Sequence, residues 1–259
     1  MTESLSVDLF NVLIIMSAGV AAGFLNVVAG GGSLITLPLL ITMGLPSAVA
    51  NATNRVAIIG QNIFAVAGFR SKGVSTFPYS LYLGISALAG AVLGAKIAVD
   101  IDDKVFNRIL SIVMLLVVAF IVIRPGSRLM GKVEGERLDV KHQVLGILTF
   151  FGVGIYGGFI QAGVGFIMIA LLTSINGFSL VKSNSTKVFV ALVYTCAALL
   201  VFILEGVINW TFGITLAAGN ALGGWLGSRW SVSKGDVWIR RVLVVAVIAL
   251  AVKLWFYSN

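Results

Sequence analysis

Residues 19–123 of this chain recur without a gap 133 positions further on, and what survives is mostly glycine, amide and hydroxyl. Gly19, Ala29, Gly30, Gly32, Gly44, Asn51, Thr53, Phe69, Gly90, Gly94, Asp103 and Arg108 return as Gly152, Ala162, Gly163, Gly165, Gly177, Asn184, Thr186, Phe202, Gly223, Gly227, Asp236 and Arg241. Such a chain must fold as two like units. Mean hydropathy is +1.05 and only 11% of residues are charged, too few to coat a soluble fold of 259 residues, so the units lie in a membrane. A duplication of this kind in a membrane protein points to a transporter with its site between the halves.

Long apolar runs select helices over an outer-membrane barrel. The spans expected are 9–28, 47–69, 74–98, 104–123, 143–161, 181–203, 208–228 and 237–257. The acidic start, without Lys or Arg, reads as part of a retained helix and not a cleaved signal peptide. Ser33–Met43 and Phe166–Asn176 are left over. Each covers only about 17 Å at 1.5 Å per residue, half of a hydrocarbon core about 30 Å thick, and reads as a half-helix or re-entrant segment. The single cysteine, Cys196, excludes an internal disulfide and is expected to pack.

Lys/Arg placement separates parallel from inverted repeats. If each half crosses an odd number of times, the cytoplasmic loops at 70–73, 124–141 and 229–241 collect 11 Lys/Arg against 4 outside. With eight spans and parallel repeats the split is 8 against 7. The expected architecture is therefore an all-α polytopic membrane protein of two inverted-topology repeats. Each repeat has four long transmembrane helices plus a short broken or re-entrant half-helix. The first repeat is 1–123, a cytoplasmic linker 124–141, the second repeat 142–259, and both termini lie outside. The same topology accounts for the formal charge of +8 without a nucleic-acid partner.

Chemistry is expected where helices break. Three consecutive glycines, Gly30, Gly31 and Gly32, interrupt the first apolar segment ahead of Ser33, and Gly163-Val164-Gly165 interrupts its copy. Glycine costs a helix interior roughly 1 kcal/mol, and the backbone groups a break leaves unpaired cost several more in lipid. Such breaks persist when they are buried in protein or line a cavity, where the following half-helix offers N–H groups and a positive dipole end to an anion. Gly90-xxx-Gly94 and Gly223-xxx-Gly227 are assigned to helix packing instead.

A second element is Asn51-Ala52-Thr53-Asn54-Arg55 and its copy Asn184-Ser185-Thr186-Lys187. Amides, hydroxyls and a cation gather there within about a turn, with no acidic residue in either long helix to pair with them. That set describes a receptor for a small oxyanion; snorkelling of Arg55 and Lys187 to the headgroups is the alternative. Gln61, Asn62, Asn26 and Gln161 face the same region by sequence proximity. Gly152-Val-Gly-Ile-Tyr-Gly lies inside an apolar run and carries no dinucleotide site. His142, the only histidine, has no second ligand nearby, and no catalytic constellation lies in the membrane. Neither enzyme activity, cofactor nor metal is expected. The expected partners are a small anion and the bilayer, with a homodimer left open.

The Gly-Gly-Gly-Ser-Leu-Ile-Thr-Leu-Pro stretch at 30–38, Gly44-Leu45-Pro46, the 51–54 patch and their recurrence resemble the sulfite exporter TauE/SafE family of bacterial membrane permeases. The resemblance covers essentially the whole chain. It implies transport of a small sulfur-containing anion such as sulfite or an organosulfonate like sulfoacetate across the inner membrane. Lys187 stands where the first repeat has Asn54, and is expected to be the dominant charge contact. The long helices carry no Asp, Glu or His for proton coupling. An inside-negative potential favours export of an anion, by roughly 2.3 kcal/mol per charge per 100 mV. An anion channel, a carboxylate carrier and a non-transporting scaffold are the alternatives.

Overall fold

The structure, a computed structural model, describes residues 9–102, 104–106, 108–112 and 135–257. Of the expected elements, most of the span at 104–123 and of the linker at 124–141 lies outside these residues. The described elements are all helices: α1 (Leu9–Val28), α2 (Ser33–Thr42), α3 (Ser47–Arg70), α4 (Tyr79–Asp100), α5 (Val140–Phe159), α6 (Val164–Asn176), α7 (Leu180–Leu204) and α8 (Trp210–Tyr257). Four of them, α1, α4, α5 and α7, are long and apolar enough to cross a membrane.

The other two long helices have specific reasons to differ. Into α3 fall Asn51, Thr53, Asn54, Arg55, Gln61 and Asn62, all buried, so its polarity faces inward and not toward lipid. Gly235, at φ 72° and ψ −173°, breaks α8 between the two spans expected there. α4 begins at Tyr79, later than the expected 74, because Pro78 caps it. The expected half-helices are present as α2 and α6, 10 and 13 residues long. Asp139 precedes α5 and hydrogen-bonds His142 at 2.5 Å, which holds the Asp139 carboxyl below its ordinary range. Cys196 does not pack as expected; its position on α7 leaves it exposed.

Small residues set the helix directions. A Cβ on Gly90 would lie 2.2 Å from the Phe151 carbonyl oxygen, and one on Gly94 2.0 Å from that of Ile155, so α4 and α5 run parallel with backbones touching. The same register recurs where Gly219 meets Met16 and Gly223 meets Val20, making α1 and α8 parallel. α3 also runs with α8, Val56 beside Gly213 and Gly60 beside Ala217. α3 and α7 are antiparallel: Arg55 stacks on Phe202 near the end of α7, whereas Ala65 and Phe69 pack on Val188 near its start. The largest apolar core joins α4 to α5, α6 and α7 through Leu83, Ala87, Ala91, Phe150, Met168 and Tyr194. Each half thus packs mainly against the other, not against itself.

Candidate functional site

The two helix breaks meet at the centre. Gly30, at φ 97°, lies so close to Gly165 that a Cβ on either would come within 2.4 Å of the other's backbone. Gly31 abuts the Phe166 ring, and Gly163 takes φ 71° to start α6. A helix ending here leaves carbonyls without intrahelical donors, at the negative end of its dipole. Each end is capped from the opposite half.

At the end of α5, Arg55 of α3 donates to the carbonyls of Gly157, Gly158 (2.9 Å) and Phe159 (3.4 Å) and to Gln161 Oε1. Asn51 Nδ2 donates to Phe159 O at 2.8 Å, and its Oδ1 accepts from Arg55 at 3.2 Å. At the end of α1 the arrangement repeats with different residues. Lys187 of α7 donates to the carbonyls of Asn26 and Val27, both at 2.8 Å, and to Asn184 Oδ1 at 2.7 Å, while Asn184 Nδ2 reaches Val28 O at 3.0 Å. Both cations are buried. Their counter-charge, absent from the sequence, is a helix C-terminus.

Three side chains turn this capped break into a directed chain of donors. The Gly32 N–H, which can only donate, bonds Asn26 Oδ1 at 3.3 Å. Asn26 must then present its Nδ2, which donates to Gln61 Oε1 at 3.1 Å, and Gln61 Nε2 donates to Asn62 Oδ1 at 3.2 Å. Asn62 Nδ2 is left over, buried and without a partner. The backbone N–H fixes the orientation of every amide, and each bond polarises the next. The chain ends on a small cavity, whose lining includes Asn26, Gln61, Asn62, Gln161, Tyr194 and Lys187. Its free centre is only water-sized. Tyr194 Oη, buried against the same space, also makes no hydrogen bond.

A family model described as Sulfite exporter TauE/SafE matches residues 15–254. The chain belongs to that family. It is similar over nearly its full length to the "Probable membrane transporter protein" of Haemophilus influenzae, 28% identical across 98% of this chain and 99% of the relative. A Sinorhizobium protein, "Probable membrane transporter protein ORF9", is 29% identical over 92% of this chain and 89% of its own length. Escherichia coli K12 "Probable membrane transporter protein YfcA" is 29% identical over 92% and 87%. No solved structure matches. This chain is accordingly a transmembrane transporter of the TauE/SafE family.

Within this TauE/SafE transporter the residues expected at the site separate into four groups. Gln61, Gln161, Gly165 and Lys187 line the cavity. Gly30, Gly31, Gly32 and Gly163 form the crossing of the breaks, and Asn51, Arg55 and Asn184 cap helix ends beside it. Ser33 and Asn54 are joined to Thr36 away from the cavity: Asn54 Nδ2 donates to Ser33 Oγ at 3.2 Å, and Thr36 Oγ1 donates to Asn54 Oδ1 at 2.8 Å, tying α2 to α3. Thr53, Ser185 and Thr186 hold loops of the other half. Thr53 Oγ1 accepts from the Asn209 N–H at 3.0 Å, Ser185 Oγ donates to Val74 O at 3.2 Å, and Thr186 shares a hydroxyl bond with Thr76 at 2.8 Å.

Tyr194 is the cavity residue that sequence reasoning missed. A hydroxyl inside an apolar helix, needing a partner its neighbours do not supply, is the feature that marks it. Lys187 borders the cavity, but its three donors are already engaged, so it contributes charge and position ahead of a direct bond. The Lys187→Gln variant keeps at most two of those bonds and no charge. Its thermal unfolding midpoint in detergent is expected to fall; an unchanged midpoint would show the cap to be dispensable.

Proposed function

We propose that the protein is an alternating-access carrier for a small sulfur oxyanion, sulfite or an organosulfonate such as sulfoacetate, which it exports across the bacterial inner membrane. The observation that carries this reading is the pair of buried, unpartnered donors, Asn62 Nδ2 and Tyr194 Oη, on two residues that line one cavity with Lys187. Donors without acceptors, next to a cation, await an anion with several oxygens. The cavity is narrower at its centre than such an anion requires, which supports a carrier that opens around its cargo in preference to a standing pore. The family's description supplies the sulfur chemistry.

Inverted repeats give that opening its mechanism. Their support is the register of the packing: α3 runs antiparallel to its copy α7, and each half's cation caps the other half's broken helix. With the 70–73 and 229–241 loops in the cytoplasm, as their Lys/Arg content favours, both termini face outward. Rocking of the halves about the Gly30–Gly165 crossing exposes the cavity to each side in turn.

The test is ligand-induced thermal stabilisation of the purified protein by sulfite, thiosulfate, sulfoacetate, taurine, sulfate and acetate. At a hundred times its dissociation constant, a bound anion adds about 2.7 kcal/mol. One sulfur anion is expected to stabilise the wild type, and its effect is expected to vanish in Asn62→Leu and shrink in Tyr194→Phe. Stabilisation by acetate alone, or equal stabilisation of the variants, would overturn the reading.

A further inference from the structure

One helical turn beyond the central cavity, toward the end of α3, lies a second cavity, also water-sized at its centre, lined by Val66, Arg70, Thr76, Ser80, Ser185 and Phe189 among others. Its walls continue those of the first. Asn62 of the central cavity and Val66 of the second stand four residues apart on α3, and Val188 and Phe189 are adjacent on α7. Val66 and Val188 pack in one apolar cluster, so the two spaces are separated by a thin layer of valine.

The chemistry of this second cavity favours anions. Arg70 is exposed and makes no ion pair among the described residues, and Lys72 follows it in the loop. Two carboxylates that touch the start of α7 are occupied: Asp236 accepts from the N–H groups of Leu180 and Val181, and Glu136 pairs with Lys182 at 2.5 Å. Ser80, Ser185 and the Thr76–Thr186 pair add hydroxyls.

The repeat-related position, 133 residues away in the sequence, keeps a polar pair, Asn209 and Thr53, where this one has Thr76 and Thr186, but loses the cation and both serines. Arg70, Ser80, Ser185 and Phe189 correspond there to Ile203, Gly213, Ala52 and Val56. Gly213 packs so closely on Val56 that a Cβ would lie 3.2 Å from it. One end of the α3–α7 path thus carries a cation and two serines beside a small cavity, while at the other Gly213 and Val56 fill the corresponding space.

We infer that the second cavity is the anion-selecting mouth of the transport path, in which Arg70 draws a small oxyanion from the side of the 71–78 loop. This rests on the reading of the central cavity as the substrate site. A charged cleft of this kind raises the local concentration and arrival rate of its counter-ion by tenfold or more, an effect that salt weakens.

The test uses the full chain in a Cys196→Ser background with single cysteines Ser185→Cys, Ser80→Cys and Ala52→Cys. Two membrane-impermeant thiosulfonate reagents are applied to oriented vesicles, one bearing a sulfonate and one a quaternary ammonium, with rates corrected for reaction with a free thiol. Ser185→Cys or Ser80→Cys is expected to react from the loop side only, about tenfold faster with the anionic reagent. Arg70→Gln should abolish that preference, and Ala52→Cys should react far more slowly. Unreactive cysteines at both 185 and 80, equal rates with both reagents, or an Ala52→Cys as fast as Ser185→Cys would overturn the inference. The ligand panel fails separately. If the charge preference holds while no sulfur anion stabilises the protein, the mouth stands and the central substrate assignment falls.

Discussion

Arg55→Ala is expected to be the most destabilising single substitution at the centre of this transporter. Its loss strands Gly157 O, Gly158 O, Gln161 Oε1 and Asn51 Oδ1, since only Phe159 O keeps a second donor in Asn51. An orphaned buried acceptor costs about 1–3 kcal/mol. Even the lower figure brings the loss to about 4 kcal/mol, a large fraction of what holds most domains together. The cavity left by a fully buried guanidinium over the Phe202 ring adds to it. Arg55→Lys, with three donors and the charge retained, should fall between. Thermal unfolding of detergent-purified protein checks the order; an alanine variant as stable as wild type would show that water or a rearranged chain end replaces the cap.

Gly30→Ala comes second and works through geometry. The φ of 97° is strained for any residue with a Cβ, by about 1–3 kcal/mol. Crowding is the larger effect. A methyl 2.4 Å from the Gly165 carbonyl carbon lies far inside the roughly 3.5–4.0 Å at which carbons rest, so the two breaks must separate. Gly44→Ala isolates the two contributions, because Gly44 has φ 92° but nothing within 4 Å of an added Cβ. The expected result is a folded, active Gly44→Ala protein of reduced stability, and a Gly30→Ala protein that aggregates or inserts without transporting. Equal behaviour of the two in gel filtration and transport would refute a tight crossing.

Much of this was legible in the residues because membranes punish exceptions. Glycine runs and amides inside apolar segments have to be there for a reason, so Gly30–Gly32, Asn51, Asn184, Arg55 and Lys187 stood out, as did the two short helices. What could not be read was the partner of each cation. A search for Asp or Glu near Arg55 finds none, and the true acceptors are main-chain carbonyls of the other half, which leave no mark in composition. For the same reason the bonds of Thr53 and Ser185 to backbone groups across the repeat interface could not be foreseen. Tyr194 was hidden in the opposite way, as an aromatic among aliphatics whose hydroxyl shows its meaning only once the surrounding helices leave it unpaired. Cys196 shows the limit of an apolar context, since a residue flanked by apolar neighbours on a membrane helix can face outward.

The reciprocal caps also set a timetable for the ribosome. The carbonyls at the end of α1 must wait for Lys187, which lies 161 residues behind Asn26. At 5–20 residues per second the first half therefore sits in the membrane with an open helix end for roughly ten to thirty seconds. During that interval the nascent chain is a natural client for whatever shelters unfinished helices in the bilayer, and slowing its synthesis prolongs the exposure.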